Sequence, residues 1–390
     1  MTNGKVYLTR EGSKLAEKGE LNIYSQWISR IEGQITQGNI VKIYDFNGEL
    51  IGQGFYENLG AIGVRILTKK DEELNIQYIV KKIIEAYNLR EKRLRLNSFY
   101  RVVNADGDVL PGLIIDKYEE ILVIQSSSIG FDKILKPLSQ LLIRELDVKT
   151  IYIKNDQRSR REVGLQIWRK VIEGEKRTRT IIREEEAKFY VDVEKGQKTG
   201  FFIDQRPNRI ELEKYVNKDD EVLDLYGYTG GFTVHAALTG ANTTLVEESE
   251  YAVKEAKNNI KLNNIQNKVE IIRDRVENYL EKCNNKFDII IADPPALIPS
   301  RNKVREGRKA YGNLYREVIG KIKKGGLLIA SSCSFFLNEE EFMKILVKAA
   351  IENNRGLKVI GKIRGASPCH ITRPRDKHLR YLKVIFAIVN

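Results

Sequence analysis

The chain divides into three stretches that differ in their pattern of apolar and polar residues. Up to about Thr68, short runs alternate apolar and polar side chains, and Asn47-Gly48 between two such runs is a strong hairpin signal. From Asp71 the helical spacing of ELNIQYIVKKIIEAYNLREKRLRL precedes the hairpin-like VVNADGDVLPGLIIDKYEEILVIQ and a second helical run, FDKILKPLSQLLIREL. The pattern predicts a small β-barrel-like module over residues 1–70 and an α+β module over 71–183.

After Lys188, short apolar runs alternate with helical stretches. The apolar runs are EVLDLY, NTTLVEE, VEIIRD, FDIIIAD and GGLLIASS, and the helical stretches between and after them are TVHAALTG, EYAVKEAKNNIKLNN, YREVIGKIKK and EEEFMKILVKAAIENN. Alternation of this kind favours a parallel sheet with helices on both faces. Residues 184–390 are therefore predicted to form a Rossmann-like α/β domain, with its ligand site beyond the carboxyl ends of the strands.

The charge of the chain adds a candidate partner. Its 390 residues include 66 Lys and Arg against 53 Asp and Glu, a formal charge of +13. Basic residues concentrate in three stretches: 158–183, 301–309 and the C-terminal stretch from Arg355, where nine basic residues stand against Asp376 alone. Any one stretch is usually a solvated surface, but three on a basic chain favour contact with nucleic acid first and with an anionic membrane second.

Several classes of protein are disfavoured by composition. Cys283, Cys333 and Cys369 are far apart and form no C-x-x-C pair, so neither a disulfide framework nor a metal site is predicted. The N-terminus is polar, and no run of 18 apolar residues occurs. We therefore expect neither a signal peptide nor a membrane span, and a cytoplasmic location.

A glycine turn follows the first strand of the α/β domain, in Asp224-Leu-Tyr-Gly227-Tyr-Thr229-Gly230-Gly231-Phe232. Glycines let the backbone approach a ligand closely, and the helix that follows presents unpaired N–H groups. The turn matches neither G-x-G-x-x-G nor G-x-x-x-x-G-K-[ST]. A dinucleotide or a nucleoside triphosphate is therefore disfavoured.

Acidic residues end the first three strands, namely Asp224, Glu247 and Asp274. A carboxylate in the position of Glu247 can accept both ribose hydroxyls of an adenosine-containing cofactor, and Asp274 could accept from the adenine amino group. Any one of these acids alone would more often be a helix cap. Adenosine without a phosphate cradle points to S-adenosylmethionine as the cofactor.

The fourth and fifth strands end in residues that could act on a planar base. Asp293-Pro294-Pro295 directs a carboxylate above the sheet, where it could bind an exocyclic amine or a ring nitrogen, although a plain strand-ending turn is as good an interpretation. Ser332-Cys333-Ser334 places a thiol at the next strand end. Most buried cysteines are inert, but a thiolate here could add to C6 of a pyrimidine and make C5 nucleophilic.

Four motifs together resemble a known family. The run Gln197-Lys-Thr-Gly-Phe-Phe202-Ile-Asp-Gln205-Arg, the turn DLYGYTGGF, the DPP and the SCS strand are similar, in order and spacing, to the RlmI-like class I S-adenosylmethionine-dependent rRNA methyltransferases, which form 5-methylcytosine in 23S rRNA. Residues 104–116 resemble the middle domain of that family, and residues 1–70 its PUA domain, an RNA-binding fold.

The resemblance implies a role for each motif. It makes Cys333 the nucleophile, places Phe202 and Gln205 near the cofactor, Thr229, Gly230 and Phe232 in its glycine loop, Glu247 at the ribose and Asp274 at the adenine. From the residues themselves, Asp293 is predicted to be catalytic by holding the base, and Asp224, Tyr228 and Asp293 are predicted to contact the cofactor. The predicted substrate residues are Pro294, Pro295, Arg301, Lys303 and His370.

The sequence thus predicts a methyltransferase that forms 5-methylcytosine in large-subunit rRNA. Relatives that methylate guanine lack the SCS motif, so Cys333 favours cytosine. Two alternatives stay open: methylation of a guanine nitrogen, and a non-catalytic RNA-binding or ribosome-assembly factor. The methylated nucleotide, the base that removes the C5 proton and homodimer formation are left undecided.

Overall fold

The computed structural model describes residues 4–390, which form two compact units. The first unit takes the chain up to Ile182 together with Val191–Ile203 and Pro368–Leu379. The second takes Arg183–Tyr190, Asp204–Ser367 and Arg380–Asn390. Among residues 4–390, no helix combines the length and the apolar composition that crossing a bilayer requires.

The strands are β1 (Lys5–Leu8), β2 (Asn22–Tyr24), β3 (Ile28–Glu32), β4 (Ile40–Tyr44), β5 (Leu50–Leu59), β6 (Ile62–Thr68), β7 (Phe99–Asn104), β8 (Leu113–Tyr118), β9 (Ile121–Ser126), β10 (Thr150–Asn155), β11 (Trp168–Gly174), β12 (Arg179–Glu184), β13 (Ala187–Asp192), β14 (Glu221–Leu225), β15 (Asn242–Val246), β16 (Val269–Ile272), β17 (Phe287–Ala292), β18 (Ile322–Ser332), β19 (Leu357–Val359) and β20 (Lys383–Val389). The α-helices are α1 (Arg10–Glu17), α2 (Ile76–Asn88), α3 (Ile129–Glu145), α4 (Arg158–Glu162), α5 (Arg206–Leu212), α6 (Gly231–Leu238), α7 (Glu250–Leu262), α8 (Val276–Lys282), α9 (Val304–Gly320) and α10 (Glu339–Glu352).

The first unit begins with a six-stranded sheet in the order β2-β6-β5-β4-β1-β3. The predicted hairpin at Asn47-Gly48 joins β4 to β5. Its turn is closed by the Asp45 carboxylate, which accepts hydrogen bonds from the backbone N–H groups of Asn47 (2.9 Å) and Glu49 (2.7 Å). Gly48 has a φ of +91°, which glycine adopts without strain.

A five-stranded sheet in the order β11-β10-β9-β8-β7 follows in the same unit. Helix α3 of this part packs against β5, since the Phe131 and Phe55 rings meet edge to face at 5.1 Å. The buried Glu57 carboxylate on β5 accepts from the backbone N–H of Ile129 at 2.9 Å, at the start of α3. These contacts join the part before residue 70 to the part from 71 to 182 within one compact unit, and the predicted domain boundary between them stays a prediction.

The second unit is built on a seven-stranded sheet in the order β16-β15-β14-β17-β18-β20-β19. The first five strands are parallel, as predicted, and β20 runs antiparallel to both β18 and β19. The strand order reverses between β14 and β17, where ligands bind in open α/β sheets. The helix predicted over YREVIGKIKK ends at Gly320, because Ile322 pairs with Phe287 and begins β18.

A buried group of charges lies in the second unit. Glu184 accepts from Arg209 through both carboxylate oxygens, with Nε at 2.8 Å, and lies 2.8 Å from Nε2 of His235. Nδ1 of His235 lies 2.6 Å from Glu213. Burial alone would raise the pKa of Glu184, but Arg209 and His235 hold it at about 2. Burial likewise opposes a charge on His235, yet bonds to Glu184 and Glu213 raise its pKa.

Replacing Arg209 with Met should destabilise the protein strongly. The change leaves Glu184 buried without its bidentate partner, and breaking a buried pair on one side costs about 3–5 kcal/mol. Urea unfolding measures this loss. Arg308→Met is the matched control, because its ion pair with Glu341 is partly exposed and should contribute far less. Equal, small losses in both variants would show that the buried cluster does not stabilise the fold.

Candidate active site

The turn after β14 contains three residues in the left-handed region of backbone conformation, which residues other than glycine rarely adopt. Tyr226, Tyr228 and Gly230 all have positive φ, at 62°, 48° and 84°. A Cβ on Gly227 would lie 2.7 Å from Leu245 Cγ, so only glycine fits against β15 there. The turn delivers the chain to the N-terminus of α6, where the Thr233 backbone N–H is bonded to Asp224.

Asp224 and Thr229 present buried polar atoms beside this turn. Asp224 Oδ2 accepts from the Thr233 backbone N–H (3.0 Å) and hydroxyl (2.7 Å). Asp224 Oδ1 and Thr229 Oγ1 are buried without a hydrogen-bond partner among the described residues. Burial raises the pKa of Asp224 to about 7. Because buried polar atoms are normally paired, both atoms are suited to a bound ligand.

The next two strand ends carry the other two predicted acids. Glu247 follows β15 and is half-buried; its two carboxylate oxygens accept from the backbone N–H groups of Tyr228 (3.0 Å) and Ser249 (2.8 Å). Glu247 is thereby fixed beside the glycine turn, with lone pairs left over for a ligand. Asp274 follows β16 and accepts from Arg275 N (2.8 Å) and Asn278 Nδ2 (3.1 Å); it lies one residue before Arg275, the N-cap of α8.

Asp293 lies at the centre of the strand-order reversal, at the end of β17. Its Oδ2 accepts from Nε2 of Gln205 at 2.9 Å, and the buried Gln205 is itself held by Asn208 at 2.7 Å. Burial and the charge of Asp204 raise the pKa of Asp293 to about 7. The carboxyl group therefore takes both protonation states near neutral pH, so it can either donate or accept a hydrogen bond.

Cys333 follows β18 and meets the D-P-P turn directly. Its half-buried thiol donates to the Pro294 carbonyl over 3.8 Å. Around it, the buried Tyr311 hydroxyl of α9 accepts from Ser332 Oγ at 3.0 Å and lies 2.9 Å from Ser334 Oγ. Both serine side chains are thus tied to α9, which leaves the cysteine between them directed at the D-P-P turn.

The remaining predicted residues are divided between the two units. Phe202 and His370 belong to the first unit, where His370 is buried and its Nδ1 lies 3.3 Å from the Cys369 sulfur. Burial lowers the pKa of His370 well below its ordinary value, as do Arg101, Arg90 and Lys198. Arg301 and Lys303 are exposed in a short 3-10 helix before α9.

The C-terminal basic stretch proves to be largely structural. Arg364 lies 4.2 Å from the Phe386 ring and pairs with Glu211 at 3.0 Å. Arg355 donates to the backbone carbonyls of Ile322 (3.1 Å) and Asn390 (2.9 Å). Lys383 is buried and donates to the backbone carbonyl of Ser334 at 2.7 Å. These three side chains are thus bonded within the protein, and contact of the basic stretch with nucleic acid stays a prediction.

Sequence reasoning also missed Arg209 and Lys383 near the site. The Arg209 side chain lies 3.0 Å from where a Cβ would stand on Gly231, the first residue of α6. Lys383 is the one charged residue in the apolar run from Leu382 to Val389, which was a signal for its burial, whereas Arg209 lies in a polar stretch that gave no such signal.

Two family models match parts of the chain: one described as a PUA-like domain over residues 6–69, and one described as conserved hypothetical protein 95 over residues 208–298. A crystal structure of a candidate methyltransferase complexed with S-adenosylhomocysteine superposes with a TM-score of 0.83 at 22% identity, covering 100% of both chains. The fold is thus a Rossmann-like class I methyltransferase domain preceded by a PUA-like domain.

Relatives in sequence narrow the class. A candidate ribosomal RNA large subunit methyltransferase of Methanocaldococcus jannaschii is 39% identical, covering 99% of this chain and 98% of the relative. Ribosomal RNA large subunit methyltransferase I of Enterobacter sp. strain 638 is 30% identical, covering 96% and 98%. The chain belongs to the ribosomal RNA large subunit methyltransferase I family.

Asp293→Asn should stabilise the protein with a definite pH dependence. Because the folded-state pKa of Asp293 is raised from 3.8 to about 7, the folded wild type holds a proton that the unfolded chain has lost. Wild-type stability should therefore fall, relative to the variant, as pH rises from about 4 to 7, and then level off. The pKa of Asp224 is raised in part by the charge of Asp293. Removing that charge should lower the pKa of Asp224, which increases the pH dependence of the stability difference. Urea unfolding over a pH series measures the difference.

Asp274→Asn is the matched control with the opposite sign. Asn278 and the backbone N–H of Arg275 lower the pKa of Asp274, so its contribution to stability is present above its ordinary value and is lost only at lower pH. This variant should show no trend between about pH 4 and 7. If the stability difference between the wild type and Asp293→Asn is also independent of pH over this range, the raised pKa of Asp293 is contradicted.

Proposed function

We propose that the chain is an S-adenosylmethionine-dependent methyltransferase of large-subunit rRNA that forms 5-methylcytosine through a bond between Cys333 and C6 of the base. The observation that carries the proposal is the contact between the Cys333 thiol and the Pro294 carbonyl, which brings a nucleophile next to the Asp293 carboxyl group. Family membership supports an rRNA substrate, since the relatives are named for it.

The residues of the second unit fit the cofactor. Glu247 is oriented to accept ribose hydroxyls, and Asp274 stands at the next strand end for the adenine amino group. The unpaired oxygens of Asp224 and Thr229 suit the ammonium and carboxylate end of the cofactor. Tyr228, Gly230 and Phe232 line the glycine turn. When bound, the cofactor supplies an electrophilic methyl group.

Cys333 begins the chemistry on the base. Its thiolate adds to C6, a sulfur–carbon bond forms, and the electron pair of the C5–C6 double bond becomes available at C5. Asp293 in its protonated form donates to N3 and so stabilises the charge that develops on the ring, while its ionised form would accept from the N4 amine. C5 then takes the methyl group, loses its proton, and the sulfur–carbon bond breaks to restore the thiolate.

The chain is proposed to have three domains: a PUA-like RNA-binding domain over residues 1–70, an α+β domain over 71–183 and the methyltransferase domain over 184–390. The PUA-like family match supports the first. Arg301 and Lys303 are exposed in the segment after the D-P-P turn, where they would bind phosphates of an RNA whose cytosine is flipped into the site. Pro294 and Pro295 would bound the pocket for the base.

Cys333→Ala should abolish formation of 5-methylcytidine while leaving cofactor binding intact. The variant lacks the nucleophile but keeps Glu247, Asp224 and the glycine turn. Nucleoside mass spectrometry of rRNA treated with labelled cofactor measures the product, and calorimetry with S-adenosylhomocysteine measures binding. Cys283→Ala, which removes a buried thiol away from the strand end, is the matched control and should keep full activity.

The same experiment distinguishes the two alternative functions, guanine methylation and non-catalytic RNA binding, by different results. A methylated guanine made equally by wild type and Cys333→Ala would establish the guanine alternative. Absence of S-adenosylhomocysteine binding by the wild type would establish a non-catalytic RNA-binding factor. Full 5-methylcytidine formation by Cys333→Ala would overturn the covalent mechanism.

A further inference from the structure

Phe335 is an exposed aromatic residue two positions after the candidate nucleophile. Of the 13 phenylalanines in the chain, all within residues 4–390, only Phe46 and Phe335 have exposed side chains, and Phe335 is 50% exposed. A single exposed apolar side chain is ordinary on a protein surface. Phe335 differs because it follows the carboxyl end of β18, at the edge of the sheet that carries Asp293 and Cys333.

The backbone on both sides of Phe335 is fixed. Ser334 is buried; its Oγ accepts from the Ile298 backbone N–H at 3.1 Å, and its carbonyl accepts from the Leu337 backbone N–H at 3.2 Å. Leu337 is buried, and Phe336 packs against the core of the second unit while its ring meets the Phe335 ring edge to face at 5.2 Å. The segment that carries the exposed ring is therefore ordered before a ligand arrives, which lowers the entropic cost of binding.

Exposed cations stand on the neighbouring segment. The hydrogen bond between Ile298 and Ser334 joins the segment after the D-P-P turn to the segment that carries Phe335. Arg301 and Arg305 follow Ile298 closely, both are exposed, and over residues 4–390 neither guanidinium group has an ion-pair partner. Proteins bind single-stranded nucleic acid through this combination, in which cations contact phosphates and an aromatic ring stacks on a base.

The proposed reaction requires a surface of this kind. A cytosine reaches Cys333 only after it has left its stack, and the bases beside it then expose their faces to water. Unpaired bases of RNA are commonly bound by stacking on aromatic side chains. An apolar protein partner would also cover Phe335, but it would leave Arg301 and Arg305 without a counter-charge.

We propose that Phe335 is a substrate-binding residue whose ring stacks on an unpaired base of the RNA, next to the cytosine that enters the site. Phosphates beside this base contact Arg301 and Arg305. The ring contributes affinity for unpaired RNA and takes no part in the making or breaking of bonds. This inference rests on the proposed function, because it takes Cys333 to mark the position of the target cytosine.

The experiment measures binding of the full-length protein, without cofactor, to a single-stranded RNA of mixed sequence and about 15 nucleotides. Phe335→Ala should weaken binding about fivefold or more, because stacking of one base on an aromatic ring contributes at least that much. Phe335→Trp keeps an aromatic face and should bind at least as tightly as the wild type. RNA should also quench the fluorescence of Phe335→Trp beyond any change in the wild type, whose two tryptophans are Trp27 and Trp168.

Three controls separate stacking from other roles. Ile351→Ala truncates an exposed apolar side chain near the end of α10, where Arg355 bonds to Ile322 at the start of β18, and it should bind like the wild type. Arg301→Gln should reduce the salt dependence of binding, whereas Phe335→Ala should leave it unchanged because no charge is lost. Phe335→Ala should also bind the same RNA annealed to its complement as the wild type does, since paired bases offer no free face.

Equal affinity of the wild type and Phe335→Ala for the single strand would overturn the inference, as would fluorescence of Phe335→Trp that RNA leaves unchanged. Both variants should unfold at the wild-type temperature, because the side chain is exposed. The assay involves no methyl transfer, so it is separate from the product analysis. A wild type that makes no 5-methylcytidine but binds the single strand through Phe335 would overturn the proposed function and leave the stacking contact in place.

Discussion

The shared direction of five strands is the constraint on which the candidate site depends. Because β14 to β18 run parallel, their carboxyl ends meet at one edge, and residues far apart in sequence come together there. The reversal of strand order between β14 and β17 opens a crevice at that edge. The glycine turn after β14 and the D-P-P turn after β17 border this crevice, and the S-C-S segment follows on the next strand.

Burial away from water determines the pKa values of the carboxyl groups at this edge of the sheet. Asp224 and Asp293 are both raised to a pKa of about 7 by burial, so they are poised to hold or release a proton near neutrality. Glu184 is also buried, but it is paired with Arg209 and His235, which keep it ionised. Burial with a cationic partner gives a structural anion, and burial without one gives an acid suited to proton transfer.

Most of the fold could be predicted from the sequence, because short apolar runs ending in polar residues mark buried parallel strands. The strand-end acids and Cys333 could be located in the same way, although their roles stay predictions. Lys383, Arg355 and Arg364 were misjudged as surface charges. Their environment depends on β20 pairing with a strand about fifty residues earlier, and local charge counting contains no information on such a contact. The positions of Phe202 and His370 could not be predicted either, because the unit to which each belongs depends on long-range packing.

A trapped complex with RNA tests the central claim most directly. In 5-fluorocytidine the C5 position carries fluorine, which cannot leave as a cation as the proton does, so the bond between sulfur and C6 should persist after methyl transfer. Incubation of the wild type with cofactor and large-subunit rRNA containing 5-fluorocytidine should give a covalent protein–RNA complex that resists denaturation. Peptide mapping should place the bond at Cys333. Methylation of the unsubstituted RNA without any such complex, or a bond to another residue, would contradict the account.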